Sequence, residues 1–312
     1  MGTATGIVDA HHHVWDLSVR GQDWITGERM APLARSFTLD DLAPEAQAAG
    51  VTATVVVQTV TVPEETPELL ALAGKGELVA GVVGWTDLTA PGVADELARL
   101  RELPGGERLV GIRHQVQGEP DPLWLLRPDV LRGLSAVADA GLVYDLVVLP
   151  HQLPAAYRAA ARLPELAFVL DHLGKPPIAA MKPRPWADDV RVLATLPNAY
   201  CKLSGMVTEA DWHSWQPAGL APYADAVLDA FGPDRLMFGS DWPVCRLAAS
   251  YAEVVDTARV LTSGLTPAEQ REVFSGTATR VYGLPERPRP RTGGAAGPSY
   301  RDGDGVPRGT GA

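Results

Sequence analysis

The 312-residue chain lacks most features of secreted, membrane-spanning or nucleic-acid-binding proteins. Its two cysteines, Cys201 and Cys245, are far apart and lack CxxC spacing, which argues against a disulfide framework. No apolar run reaches about 18 residues, and no basic-then-apolar leader opens the chain. The net charge of −11 comes without any basic run, so nucleic acid is a poor partner. We therefore expect a cytoplasmic protein that acts on a small molecule, with no membrane partner; the oligomeric state is not indicated.

Three common catalytic and cofactor motifs are also absent. No G-x-S-x-G elbow is present, which argues against a serine hydrolase. Gly174-Lys175 lacks the upstream glycine of a phosphate-binding P-loop. No G-x-G-x-x-G follows the first apolar run, which disfavours a dinucleotide-binding open sheet. The chemistry must therefore come from other side chains.

What the chain does contain is a regular alternation of apolar runs and helix-like segments. Such alternation implies parallel strands joined by right-handed crossovers, and continuous apolar runs fit a sheet covered on both faces. Eight candidate strands predict an α/β fold, a (β/α)8 TIM barrel formed by residues 1–285, with a doubly wound sheet as the alternative. Residues 286–312 hold seven glycines and four prolines and predict a disordered tail. The predicted strands are Ile7–His13, Val51–Gln58, Leu78–Trp85, Leu109–His114, Leu142–Leu149, Ala167–His172, Ala199–Ser204 and Arg235–Ser240. The predicted helices are one from Thr38 to Gly50 and others at Pro91–Leu103, Pro128–Ala140, Pro154–Arg162, Trp186–Leu196, Leu220–Phe231 and Leu247–Thr262.

The apolar runs end in polar residues of types that can take part in catalysis or ligand binding. In a barrel these ends converge on one mouth, where active sites lie, and packing alone does not explain their repetition. The residues are His11, His13, Gln58, Arg113, His114, Asp145, Asp171, His172, Lys202, Ser204, Ser240 and Asp241.

The triplet His11-His12-His13 lies on the first predicted strand. Side chains two apart on a strand share a face, so we expect His11 and His13 to enter the mouth and His12 to pack outside the barrel. Two imidazoles there can bind a metal such as zinc or donate hydrogen bonds to a substrate oxygen. A tag remnant is a poor interpretation, because an apolar strand runs through the triplet; a packing pair stays possible.

Two further residues are candidates for the same mouth. Asp241, in Phe238-Gly239-Ser240-Asp241-Trp242-Pro243, is fixed by a tight turn and could act as a general base on water, or could simply cap the next helix. His172 ends a later strand and could equally be a buried histidine bonded to a carbonyl.

Other residues suggest substrate contacts. Arg113 and His114 end the fourth strand, and an arginine fork suits a carboxylate or hydroxy acid, although a structural ion pair fits as well. Lys202 is as consistent with a structural role as with substrate binding. Trp212 could stack on a sugar face or plug its loop, and Gln152 could line the pocket.

Six segments together resemble the amidohydrolase-related (amidohydrolase 2) family, closest to its sugar-acid lactonase branch of L-fuconolactonase-like and L-rhamnono-lactonase-like proteins. They are VDAHHHVWDL, GIRHQVQGEPDPLWLL, YDLVVLPHQLP, FVLDHLGKPPI, YCKLSGMVTEADW and RLMFGSDWPVC, spread over about residues 7–285. The resemblance implies an amidohydrolase-type barrel that hydrolyses a lactone to a hydroxy acid.

The resemblance also implies roles for individual residues. His11, His13, His172 and Asp241 match the family's catalytic or metal-binding positions, and Arg113 with His114 matches the substrate-facing pair. A lysine at the end of the fourth strand is missing, and Asp145 stands where a histidine ligand is expected, which argues against a two-metal site. One divalent metal such as zinc, or a metal-independent reaction, fits instead. The alternatives are a zinc-dependent decarboxylase and a non-catalytic sugar-acid binding barrel.

Overall fold

The computed structural model describes residues 6–285, which form an eight-stranded parallel barrel. The strands follow one another around the sheet in chain order, from β1 to β8. The (β/α)8 prediction is therefore confirmed; the predicted tail, 286–312, lies outside the described residues. The strands are β1 (Ile7–His12), β2 (Val51–Val57), β3 (Val79–Gly84), β4 (Leu109–His114), β5 (Val143–Leu146), β6 (Phe168–Leu170), β7 (Ala199–Leu203) and β8 (Leu236–Phe238).

The barrel closes through residues that follow β8 rather than through a regular ladder between β8 and β1. The Asp241 backbone N–H donates to the His11 carbonyl at 2.8 Å, and His13 N–H donates to the Trp242 carbonyl at 2.6 Å. This closure places the last turn of the barrel directly beside the histidine triplet. It explains why two distant sequence motifs share one mouth.

A β-bulge in β1 decides which way the triplet points. Asp9 pairs with Thr54 and His12 with Val56, so three steps along β1 match two along β2. The extra residue re-aims the strand. His12 is buried beside Thr54, its Nε2 being 3.0 Å from the Thr54 hydroxyl, while His11 and His13 reach the mouth together. The predicted split of the triplet is confirmed.

The core has an outer and an inner part. The outer part lies between strands and helices and includes Phe168 and Trp186, both fully buried. The inner part fills the barrel with small or β-branched side chains such as Val55 and Val169, and Tyr282 closes it from the C-terminal segment. Because both strand faces are covered, the strands read as continuous apolar runs.

The helices between the strands largely follow the predicted positions. Helix α1 has a capping box at Thr38 and ends at Gly50, as predicted. The helix bounds are α1 (Leu39–Ala49), α2 (Glu65–Ala73), α3 (Val93–Glu102), α4 (Pro128–Asp139), α5 (Leu153–Arg162), α6 (Trp186–Ala194), α7 (Met206–Glu209), α8 (Pro217–Phe231), α9 (Tyr251–Leu261), α10 (Pro267–Arg271) and α11 (Thr277–Val281).

The differences from prediction have local causes. Helix α2 was not among the predicted helices; its Pro67 lies in the first turn, where the missing N–H is not needed. The helix predicted over Leu247–Thr262 begins only at Tyr251, since the Ser250 hydroxyl accepts from the Glu253 N–H and starts it there. Among the described residues, no helix combines the length and the apolarity that crossing a bilayer requires.

Candidate active site

A cavity of about 270 Å³ opens at the carboxyl ends of the strands. It lies where barrel enzymes carry their active sites. Its size suits a small polar molecule rather than a polymer. It is lined by His13, Trp24, Met30, Thr59, Arg113, Gln115, Gln117, Val147, His172, Lys175, Thr208, Glu209, Trp212, Asp241, Val244 and Leu247.

Asp241 lies at the floor of this cavity, encircled by three imidazoles. Its Oδ1 is 3.5 Å from His13 Nε2, 3.8 Å from His172 Nε2 and 3.9 Å from His11 Nε2. The four side chains come from the ends of β1, β6 and β8, and each is at most 5% exposed. The structure thus brings together all four residues that the sequence predicted to be catalytic. We call His11, His13, His172 and Asp241 the floor cluster.

Two of the imidazoles are oriented by partners on their far side. His13 Nδ1 is 2.7 Å from the Val57 carbonyl oxygen, so this nitrogen carries the proton and donates it. Its Nε2 then faces Asp241 Oδ1 at 3.5 Å. His172 Nδ1 is 2.8 Å from the Ser204 hydroxyl. Such outer partners fix the tautomer and the angle of a ring that acts at its other nitrogen.

The backbone around the floor cluster is unusual. Asp241 and His172 have φ values of 58° and 52°, a region that non-glycine residues enter rarely and that clusters at functional sites. Gly205 and Gly239 allow the close packing. A Cβ on Gly205 would come within 2.6 Å of the His172 ring, and one on Gly239 within 2.7 Å of the His11 Cβ. The strained backbone at Asp241 and His172 therefore directs their side chains into the floor cluster.

A second group of charged residues lies deeper in the barrel. Arg113 Nη1 donates to Asp171 Oδ2 at 2.9 Å, and Lys202 Nζ lies 3.0 Å from Asp171 Oδ1. Lys202 also pairs with Asp145, whose Oδ1 accepts from the Tyr282 hydroxyl at 2.8 Å. We call Arg113, Asp145, Asp171, Lys202 and Tyr282 the inner cluster. It touches the floor through His11, whose Nδ1 is 3.1 Å from Lys202 Nζ.

Burial and neighbouring charges set the protonation of the floor cluster. Burial lowers the pKa of His172 to about 4. Burial, together with the charge of Lys202, lowers the pKa of His11 well below its ordinary value. Burial alone would raise the pKa of Asp241, but the neighbouring His172 and His13 outweigh it and the pKa is lowered. Near neutral pH the cluster is an ionised carboxylate beside neutral His11 and His172.

The same atoms form a possible metal site. His11, His172 and Asp241 each offer a ligand atom, and these atoms lie within 4.8 Å of one another. His13 Nε2 is 3.2 Å from His11 Nε2, close to the separation of about 3.3 Å that zinc ligands have in a tetrahedron. A ring nitrogen of His13 facing a carboxylate at 3.5 Å also suits a cation between them. The residues present therefore fit one divalent ion, although Arg113 Nη1, at 3.3 Å from His11 Nε2, opposes it electrostatically.

The residues predicted to bind substrate divide into two groups. Arg113 and Trp212 line the cavity. The other three do not: Lys202 is fully buried in the inner cluster, and Gln152 uses its amide to bind the Val116 carbonyl and the Leu149 N–H. His114 stacks on a tryptophan and lies 2.7 Å from Glu119. Their polar atoms serve internal contacts instead of facing the cavity.

Sequence reasoning missed several cavity residues. Gln115 and Gln117 follow β4, and Glu209 lies at the rim, where its Oε1 is 3.0 Å from Lys175 Nζ. Trp24 reaches the cavity from the long segment after β1. The repeated glutamines directly after the strand-end Arg113 were a usable signal, since residues after a barrel strand belong to the mouth. Trp24 gave no such signal.

Comparison with known proteins places this barrel in a family. A family model described as amidohydrolase matches residues 8–284. The chain belongs to the amidohydrolase family. It is 42% identical to an L-fucono-1,5-lactonase of Burkholderia multivorans over 290 residues, which covers 89% of this chain and 96% of that protein. It is 36% identical to an L-fucono-1,5-lactonase of Burkholderia ambifaria, covering 90% of this chain and 96% of the relative.

A solved amidohydrolase structure agrees with this membership. The crystal structure of an amidohydrolase from Burkholderia multivorans with bound zinc is 41% identical to this chain, with a TM-score of 0.84. The match covers 89% of this chain and 99% of that one. The predicted amidohydrolase resemblance is confirmed in both sequence and fold.

Proposed function

We propose that this amidohydrolase opens a sugar-derived lactone to its hydroxy acid. The observation that carries the proposal is the Asp241 carboxylate, which lies among three imidazoles at the floor of a small cavity. The relatives named L-fucono-1,5-lactonase, at 42% and 36% identity, support a lactone of the L-fucono, L-rhamnono or a similar aldonic series. They do not favour the decarboxylase alternative.

In the proposed first step, Asp241 acts as the general base. It takes a proton from a water molecule, whose oxygen attacks the lactone carbonyl carbon. The carbonyl oxygen becomes an oxyanion, and N–H donors at the cavity floor stabilise it. His172, which lines the cavity and whose Nε2 lies 3.8 Å from Asp241 Oδ1, is placed to donate one of these hydrogen bonds.

In the second step the ring opens. The tetrahedral intermediate collapses, the bond from the carbonyl carbon to the ring oxygen breaks, and the leaving alkoxide takes the proton that Asp241 holds. The products are a carboxylic acid, which ionises, and a free hydroxyl group. Asp241 returns to its carboxylate form and the cycle is balanced. His172 and His13, each within 4 Å of Oδ1, hold the Asp241 side chain in place through both steps.

We further infer that one divalent cation, zinc being the best match to nitrogen and oxygen ligands, fits His11, His172 and Asp241 with His13 beside them. When bound there, such an ion supplies Lewis-acid polarisation of a carbonyl oxygen. The proton transfers above use only Asp241 and the substrate.

The proposal is tested by screening neutral aldono-lactones for acid release, before and after treatment with a chelator. We expect turnover of at least one six-carbon or 6-deoxy sugar lactone above the spontaneous rate, with the Asp241→Asn protein as the blank. A protein that binds these lactones without opening any of them would instead support a binding barrel. Release of carbon dioxide from an aromatic acid would support a decarboxylase.

A further inference from the structure

The cations that line the cavity are already neutralised by acids. Among the described lining residues, the lysine and arginine side chains are Arg113 and Lys175. Arg113 Nη1 donates to Asp171 Oδ2 at 2.9 Å, and Nη2 donates to the carbonyl and side-chain oxygens of Gln58. Its bidentate edge therefore faces protein rather than the cavity, in contrast to the carboxylate receptor that the sequence suggested.

Lys175 is neutralised at the rim. Its Nζ is 3.0 Å from Glu209 Oε1, and both side chains are about a quarter exposed and line the cavity. The two residues come from different strand ends. Lys175 follows β6 in a left-handed conformation, with φ of 53°, and Glu209 ends α7 after β7. The Glu209 carbonyl also accepts from the Ala179 N–H at 3.0 Å, which fixes the two loops to each other.

This pairing leaves Asp241 as the acid without a cationic partner in the cavity, since its neighbours within 4 Å are imidazoles. A substrate that carries a carboxylate would meet this negative charge, and no unpaired lysine or arginine among the described lining residues would offset it. Burying an unpaired charge is costly. The same holds for the product, because hydrolysis creates a carboxylate at the carbon that Asp241-activated water attacked.

We propose that Glu209 masks Lys175, so that the cavity accepts uncharged sugar lactones, discriminates against lactones that carry a carboxylate, and releases its acid product readily. Glu209 is then a specificity-determining residue at the rim rather than a catalytic one. The substrate part of this inference rests on the proposed lactonase function. The masking itself concerns only the affinity of the cavity for carboxylates.

The test variant is Glu209→Gln, which keeps the size and one acceptor oxygen of the side chain but removes its charge. Lys175 then becomes a free cation at the rim. We expect the dissociation constant of a sugar monocarboxylate, measured by calorimetry at low ionic strength, to fall about tenfold. The gain should shrink towards nothing near 1 M salt, where charges a few ångströms apart are screened.

Two controls identify the source of the effect. The double variant Lys175→Met/Glu209→Gln should lose the gain, because the unmasked cation is gone. Glu96→Gln removes the acid of an exposed pair with Arg99 elsewhere on the surface and should leave carboxylate affinity within twofold of the parent. A gain that persists in the double variant, or appears equally in Glu96→Gln, would overturn the masking.

Turnover gives the second readout. We expect Glu209→Gln to raise product inhibition and to improve the ratio of kcat/KM for a lactone of a sugar diacid to that for a neutral lactone. A parent protein that already opens both lactones equally well would contradict the proposal. If the parent opens no lactone, the proposed function fails, yet calorimetry still decides whether Glu209 masks Lys175.

Discussion

The inner cluster and the floor cluster lie next to each other, yet they differ in whether their carboxylates are paired with cations. In the inner cluster every carboxylate has a cation at ion-pair distance, such as Lys202 Nζ at 3.0 Å from Asp171 Oδ1. In the floor cluster the nearest side chains to the Asp241 carboxylate are three imidazole rings, at 3.5–3.9 Å. Each carboxylate of the inner cluster is balanced by an adjacent cation, whereas the floor cluster keeps capacity for a water molecule, a substrate or an ion.

This difference suggests a division of labour. Groups that are fully paired and fully buried hold the barrel interior together, and their removal leaves a partner stranded. In the floor cluster, His172 and Asp241 have strained backbone angles, and Asp241 has no lysine or arginine partner. Such residues are typical of functional sites. The following predictions test whether the two clusters separate stability from turnover.

The largest effect is expected from Lys202→Met in the inner cluster. Two buried acids, Asp145 and Asp171, would lose their shared cation, and the free energy of unfolding should fall by about 3–5 kcal/mol. Urea unfolding measures this. Lys175→Met at the partly exposed rim is the matched control and should cost less than about 1 kcal/mol. Equal losses in both variants would mean that the inner cluster is not structural.

A smaller change, in turnover rather than stability, is expected from His172→Ala in the floor cluster. Loss of the ring that steadies the Asp241 charge should lower kcat/KM about 100-fold, equivalent to about 2.7 kcal/mol. Zinc affinity, measured by competition with a chromophoric chelator, should also fall. His12→Gln is the control, because His12 is buried on the outer face beside Thr54. If His12→Gln lowers turnover as much, the split of the triplet has no functional meaning.

The pH dependence of stability should reveal the buried histidines. Burial lowers the pKa of His172 to about 4 and that of His12 to about 3, from an ordinary value of 6.5. The neutral folded forms therefore contribute stability that is complete above pH 6.5 and is lost as the pH falls towards these values. Between pH 7 and 5 each such histidine should cost about 2 kcal/mol. Urea unfolding that is unchanged over this range would contradict the neutral assignment.

Much of the fold was predictable because its signals are local. The alternation of apolar runs and helices identified the barrel, and strand ends identified His11, His13, His172 and Asp241. The family resemblance gave the same four residues. The sequence did not, however, show which strand-end residues belong to which cluster. Lys202 and Asp241 are both charged residues at the end of a predicted strand, yet only Asp241 lines the cavity.

The remaining features depend on long-range geometry. Whether Arg113 faces the cavity with a free fork depends on Asp171 and Gln58, which come from other strands. The bulge in β1, which determines how His11 enters the barrel, is visible only in the pairing with β2. Lys175 and Glu209 meet only because two loops are brought together by the closed barrel. No pattern along the chain records these contacts.

The most direct test of the account is the free energy of unfolding of Asp241→Asn, measured together with its lactone turnover. The account predicts that the amide, which keeps the shape of the side chain and the 2.8 Å backbone hydrogen bond from residue 241 to the His11 carbonyl, costs less than about 2 kcal/mol of stability. Turnover should fall at least about 1000-fold. A variant that loses about 3 kcal/mol or more of stability while still opening lactones would contradict the account.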